Sequence, residues 1–312
     1  MKKFIIHLLS FSVFALFFYV IGLALWSWIM PNYMAKNVRN CIGCYGHLNT
    51  RIKEIPNYKD IDILILGSSH AYRGFDTRVF KKHGINAFNL GSSAQSPIQT
   101  YILLNQYLDE LNPKLVVLEV YAGVLELDGV ESSLDLAANN KMDKYYYQTL
   151  KDIRNLQTYN STIYGTFREL FHLNDNFKED SIQEESRYIK GGYVESEYKQ
   201  NPLLEEKTSK WIINSVQIHY LDKTINLLKD KNIDYILVQT PISKKLYEAK
   251  TNNKEIDSLL SSKGKYFSFQ NKIELNDTTD FYDSNHLNQK AVERFSEMFI
   301  QFLKNRNLIS KL

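Results

Sequence analysis

The sequence predicts a three-layer α/β sandwich, with a mostly parallel central sheet between two helical layers, preceded by one transmembrane helix. Three observations predict it. Strand-length runs at 61–66, 115–121 and 233–238 are dominated by Ile, Leu and Val, as parallel strands covered on both faces require. Stretches with helical spacing of apolar residues separate these runs, and strand–helix alternation is the signature of a parallel sheet. Ahead of them, 4–30 is apolar sequence interrupted only by His7, Ser10, Ser12, Gly22 and Ser27.

The apolar leader exceeds the roughly 20 residues needed to cross the hydrocarbon layer. Lys2 and Lys3 precede it, Trp26 and Trp28 fall where an interfacial belt lies, and Pro31 stops the helix. A secretory leader has a shorter apolar run and a small-x-small cleavage site, neither evident here, so 4–30 is expected to be an uncleaved, single-pass anchor in the cell membrane. Lys2 and Lys3 favour a cytoplasmic 1–3 and an extracytoplasmic globular domain. Lys36, Arg39, Arg51 and Lys53 beyond the span pull the other way.

Residues 31–60 read as a stalk leading into a domain at 61–312. Cys41 and Cys44 are the only cysteines. His47 does not complete a zinc site with them, and both a disulfide and two free thiols remain open. Forty-four per cent hydrophobic content, with 21 Tyr and 17 Phe, argues for a packed core rather than disorder. A balance of 38 basic against 35 acidic side chains gives no argument for a nucleic-acid footprint, and no nucleic-acid partner is expected.

Within the domain, 61–66 is the first strand and 85–90 a short second one ending at Gly91. Pro97 opens a helix on which Ile98, Tyr101, Ile102, Leu104 and Leu108 recur at helical spacing, and Asn112-Pro113 ends it. The third strand is 115–121, the fourth 233–238 after a helix over 211–228, the fifth 266–269, and 287–303 is a closing amphipathic helix. Residues 122–210 break the rhythm and are too long for a simple connection. They are expected to form a mainly helical insert ending in a loop at Gly191-Gly192. Its Tyr and Phe side chains either wall the substrate or form the insert's own core.

Active sites of open α/β sheets form beyond the carboxyl ends of the strands. Three segments reach that edge with reactive groups. In Gly67-Ser68-Ser69-His70, Ser69 would start a helix with its hydroxyl exposed as a nucleophile and its N–H facing developing negative charge. In Asn89-Leu90-Gly91, the Gly91 N–H is expected as a second oxyanion donor, while Asn89 either meets substrate or ties down the loop. In Asp283-Ser284-Asn285-His286, His286 is the expected general base and Asp283 its orienting carboxylate. His70 and Arg73 are candidate substrate-binding residues, although Arg73 also has Asp76 as an ion-pair partner within reach. No carboxylate–histidine cluster has metal-ligand spacing, so neither metal nor cofactor is inferred.

These blocks resemble the SGNH, or GDSL-like, hydrolase superfamily. Gly67-Ser68-Ser69 falls on the first block with Ser68 replacing its aspartate, Gly91 on the second-block glycine, and Asp283 and His286 on the final Asp-x-x-His. The resemblance covers 60–120 and 230–305 and implies a flavodoxin-like sandwich carrying a serine esterase. The Gly-Ser-Ser form and the anchor resemble members that move or remove acyl groups on envelope polymers, such as the teichoic acid D-alanylation and alginate acetylation proteins. Partners implied are an acylated glycan or cell-wall polymer and a membrane-bound acyl-transfer protein. One departure stands out: the third-block asparagine is absent from Glu119-Val120-Tyr121-Ala122-Gly123, leaving the Tyr121 hydroxyl or a nearby backbone group to replace it. The leading expectation is an esterase or O-acyltransferase on acylated envelope carbohydrate, acting through an acyl-enzyme. The alternative is an inactive glycan-binding or envelope-assembly protein.

Overall fold

The computed structural model describes residues 1–183, 185–202 and 205–309, so insert positions 184 and 203–204 and the last three residues of the domain lie outside it. In chain order the elements are α1 (Lys2–Ile29), α2 (Leu48–Glu54), β1 (Ile63–Leu66), α3 (Ser69–Tyr72), α4 (Thr77–Lys82), β2 (Ala87–Asn89), α5 (Pro97–Leu111) and β3 (Leu115–Glu119). The insert follows with α6 (Ala122–Leu125), α7 (Val130–Asn139), α8 (Lys144–Ile153), α9 (Leu156–Leu170), β4 (Ile182–Gln183), β5 (Ser186–Ile189) and β6 (Tyr193–Ser196). Last come α10 (Ser215–Asp230), β7 (Asp234–Gln239), α11 (Lys244–Ala249), α12 (Asn253–Ser261), β8 (Tyr266–Ser268) and α13 (Gln289–Asn305).

The central sheet has the order β2-β1-β3-β7-β8, parallel throughout. Its strands read as unbroken apolar runs because both faces are covered. Leu64 and Leu66 of β1 and Val116 and Leu118 of β3 join one core, which is packed by α5 and α10. Ile63, Ile65, Leu115 and Val117 join the other, where Phe295 and Phe299 of α13 meet Phe75 and Phe80. Phe299 is wholly buried, and full burial of such a ring contributes about 1.5–3 kcal/mol. The expected three-layer sandwich is therefore the fold. Chain direction across the sheet reverses between β1 and β3, creating a crevice at their carboxyl ends.

Two expectations require correction. The insert is helical only in its first half, because Ile182–Gln183, Ser186–Ile189 and Tyr193–Ser196 form a separate antiparallel sheet, β4-β5-β6. Gly191 and Gly192 are the turn of its β5–β6 hairpin, and that turn sits on the edge strand of the main sheet, with Asn89 N–H donating to the Gly191 carbonyl at 2.8 Å. Glycine is required at 192, where φ is +89° and a Cβ would lie 2.0 Å from the Asn89 carbonyl oxygen. The stalk is also more than a connector. Leu48 and Ile55 are buried in the α5-side core, and buried Arg51 donates to the Gly192 carbonyl at 2.9 and 3.0 Å. Cys41 and Cys44 are disulfide-bonded, and neighbouring Gly43 N–H donates to Asn139 Oδ1 at 2.7 Å.

Helix α1 is long and apolar enough to cross a membrane, and most of it is exposed. Its stretch from Tyr19 onward instead packs on the domain. Ala24 and Ser27 are buried, the Tyr19 hydroxyl donates to Asn160 Oδ1 at 2.7 Å, and Asn40 Nδ2 donates to the Ser27 carbonyl at 2.9 Å.

Candidate active site

Strand β1 ends at Gly67, where φ is +148° and a Cβ would lie 2.7 Å from Glu119 Cβ. Glycine thus lets the chain turn sharply against the end of β3. Ser68 caps the short helix that follows, its side chain accepting from His70 N–H at 3.2 Å. Ser69 is the first residue of α3. An N–H in that position has no partner within the helix, so it stays available to a ligand.

Downstream, Asp283 folds its own segment. Its Oδ1 accepts from the N–H groups of Asn285 at 2.9 Å and His286 at 2.8 Å. Ser243 N–H, beyond the end of β7, donates to the Ser284 carbonyl at 3.0 Å and fastens this loop to the sheet. The same Asp283 carboxylate reaches His286 Nδ1 at 2.8 Å through Oδ2, and His286 Nε2 lies 2.7 Å from Ser69 Oγ. Residues 217 positions apart in sequence therefore form one continuous chain of hydrogen bonds. With Nδ1 committed to the carboxylate, Nε2 is the nitrogen that accepts from the serine hydroxyl.

Electrostatics favour a charged Asp283. Burial pushes its carboxyl pKa upward, but the hydrogen bond and charge attraction from His286 and the two backbone N–H groups outweigh that, and it falls to about 2. A permanent carboxylate can stabilise an imidazolium at His286. The opening bounded by Ser69, Arg73, Asn285 and His286 encloses only about 10 Å³, near the size of one water.

The other sequence candidates divide. His70 is 5 % exposed and forms a floor, its ring 4.1 Å from Tyr121 and 4.9 Å from His286 between centroids. Arg73 does not pair with Asp76, because Asp76 caps α4 and binds the Arg78 guanidinium at 2.8 and 3.0 Å. Instead Arg73 flanks the opening with its Nε unpartnered. Asn89 is wholly buried and ties the loop: Nδ2 donates to the Ala71 carbonyl at 2.7 Å and Oδ1 accepts from Gly91 N–H at 3.1 Å. Asn89 therefore does not face substrate, and the Gly91 N–H is already occupied. Tyr121 lies behind His70 and edge-on to Trp211. None of the rings over 145–171 borders the opening; Tyr146 and Tyr164 are buried within the insert.

Sequence reasoning missed Glu119 and Thr240, which lie directly beneath the serine turn. Thr240 Oγ1 donates to Glu119 Oε1 at 3.3 Å and lies 3.0 Å from His70 Nδ1. Burial lifts the Glu119 pKa to about 8, so it is mostly neutral at pH 7. Burial likewise keeps His70 uncharged, its pKa well below the usual histidine value. The available signal was a carboxylate ending the otherwise apolar run Leu115-Val116-Val117-Leu118.

The sequence matches no protein-family model and no curated protein. Among solved structures it is similar to a Bacteroides fragilis protein provisionally described as an acylhydrolase, at 12 % identity and a TM-score of 0.42, covering 84 % of this chain and 98 % of that one. It is also similar to a GDSL-like lipase of Bacteroides thetaiotaomicron, at 10 % identity and a TM-score of 0.41, with the same coverages.

Proposed function

We propose that this protein is a serine-dependent esterase or O-acyltransferase that works through an acyl group carried on Ser69. The observation that carries this reading is the continuous relay from Ser69 Oγ to His286 Nε2 at 2.7 Å and from Nδ1 to Asp283 at 2.8 Å. In the first half-reaction Ser69 Oγ bonds to the ester carbonyl carbon as its proton passes to His286 Nε2. The carbon–oxygen bond to the leaving alcohol then breaks, and that alcohol takes the proton from His286. In the second, water or an acceptor hydroxyl gives a proton to His286 and attacks the acyl carbon. Ser69 departs with that proton.

The Ser69 N–H faces the developing oxyanion, with the Arg73 guanidinium beside it as a fixed positive charge. Tyr121 and His70 position the loop from behind. The substrate in this reading is an acylated carbohydrate of the cell envelope. Support comes from a membrane-length α1 that opens with Lys2 and Lys3, and from a disulfide, which persists in oxidising compartments. The SGNH-like order of the blocks supports the chemistry.

An inactive glycan-binding protein is the second reading, favoured by one observation: the Gly91 N–H is taken by Asn89. Losing one oxyanion donor lowers turnover by about 10²–10³. Incubation of the full-length protein with a fluorophosphonate probe decides between the two. Stoichiometric labelling of wild type and none of Ser69→Ala is expected. No labelling of a folded wild type would select the binding protein.

A further inference from the structure

Away from Ser69, a cleft of about 1160 Å³ lies between α2, the chain leading into β2, and the 177–181 and 188–191 segments of the insert. Its walls carry Lys53, Lys59, Lys81, Lys178 and Lys190 against two carboxylates, Glu54 and Glu179. Both carboxylates are committed. Glu54 accepts from the Tyr188 hydroxyl and from Gly191 N–H at 3.2 Å, and Glu179 accepts from Thr50 N–H at 2.9 Å and Thr50 Oγ1 at 2.7 Å. Lys53 is spent on the carbonyls of Asn174 and Phe177, at 3.0 and 2.7 Å. The other four lysines are exposed and make no ion pair among the described residues.

A second observation narrows the ligand. Asn49 lines the cleft and is only 3 % exposed, yet its Oδ1 has no hydrogen-bond partner. A buried amide oxygen left without a donor is destabilising by about 1–3 kcal/mol. A carboxylate or fully ionised phosphate only accepts hydrogen bonds and cannot satisfy it, whereas a sugar hydroxyl can. The partly exposed Tyr58, Phe177 and Tyr188 also line the cleft.

We propose that this cleft binds a stretch of anionic polysaccharide, with its charges on Lys59, Lys81, Lys178 and Lys190 and a hydroxyl donating to Asn49 Oδ1. Hydrogen bonds through Asn89 on the strand edge link the cleft wall to the segment after Ser69. The Gly191 carbonyl on its wall accepts from Asn89 N–H at 2.8 Å, and Asn89 Nδ2 holds the Ala71 carbonyl, two residues beyond Ser69. That the bound polymer is the one whose ester meets Ser69 rests on the acyl-transfer reading; the binding does not.

The test titrates the full-length protein in zwitterionic nanodiscs with polygalacturonate oligosaccharides, using uncharged dextran and phosphatidylglycerol vesicles as the other arms. Polygalacturonate is expected to bind with an affinity that falls as salt rises, and dextran not to bind. Lys81→Ala/Lys190→Ala should weaken binding about tenfold, equivalent to about 1.4 kcal/mol. Lys229→Ala/Lys254→Ala, on exposed positions of α10 and α12, should leave it unchanged. Ser69→Ala should bind like wild type, so lost binding and lost fluorophosphonate labelling report separate failures. Equal affinity in wild type and the Lys81/Lys190 variant overturns the proposal, as does an equal loss in the Lys229/Lys254 pair. Absence of polygalacturonate binding, or binding of the vesicles alone, also overturns it; the latter marks a lipid-headgroup site.

Discussion

Glu119 ends β3 beneath the turn that presents Ser69, and its Oε2 has no hydrogen-bond partner. An ionised carboxylate there would be a buried and poorly solvated charge. The residue therefore holds its proton up to about pH 8, while in the unfolded chain it ionises near its ordinary value of 4.5. Between those two values the folded state binds more protons than the unfolded one, so this residue makes stability decline as pH rises. Asp135, lifted by burial to about 7, adds to the decline in the same direction. Glu119→Gln keeps the shape and removes the ionisation. Chemical denaturation from pH 5 to 8 should show a shallower loss of stability in Glu119→Gln than in wild type, by up to about 1.4 kcal/mol per pH unit. Parallel curves for the two proteins would mean that Glu119 is ionised, and solvated, in the folded state.

The β5–β6 hairpin and α2 jointly close the β2 edge of the sheet. An edge strand leaves unpaired backbone groups, and here the Asn89 N–H is capped by the Gly191 carbonyl while Arg51 caps the Gly192 carbonyl. The same Asn89 fastens α3 and Gly91 through its side chain, so the clamp on the edge is one residue from the loops around Ser69. Gly192→Ala would force a Cβ against the Asn89 carbonyl in a backbone conformation that alanine disfavours. Its expected effect is a loss of roughly 1–3 kcal/mol in stability, read from the denaturation midpoint, together with slower fluorophosphonate labelling. Wild-type stability in Gly192→Ala would show that the hairpin lies off the edge in solution.

At the scale of the molecule, α1 serves both as a membrane-length helix and as a wall of the domain. Tyr19 and Ser27 hydrogen-bond to residues beyond the helix, whereas the portion before Tyr19 is almost wholly exposed and makes no such hydrogen bond among the described residues. With that portion in a bilayer, the α9 side of the domain rests at the membrane surface rather than on a free stalk. In the proposed orientation the domain faces out of the cytoplasm. Protease added to intact spheroplasts should therefore degrade it, and protection until lysis would reverse the orientation and remove the envelope substrate from consideration.

The sequence by itself determined the parallel sandwich, because strands buried on both faces must be apolar throughout and the helices between them must be amphipathic. It also placed Ser69, Asp283 and His286 at loops beyond strands, where glycine and short polar residues permit sharp turns. Tertiary structure decided which groups those loops leave free. Asn89 could have faced a substrate or held its loop, and only packing shows both ends of its amide consumed. Arg73 and Asp76 are close in sequence, but Arg78 takes the carboxylate because the α4 cap turns it that way. The β4–β6 sheet carries no clear strand pattern in the sequence because its strands are short and partly exposed, so their form depends on the β2 edge that the β5–β6 hairpin covers. Glu119 read as part of a strand. Its raised pKa comes from burial against residues far away in sequence, and local pattern carries no measure of that burial.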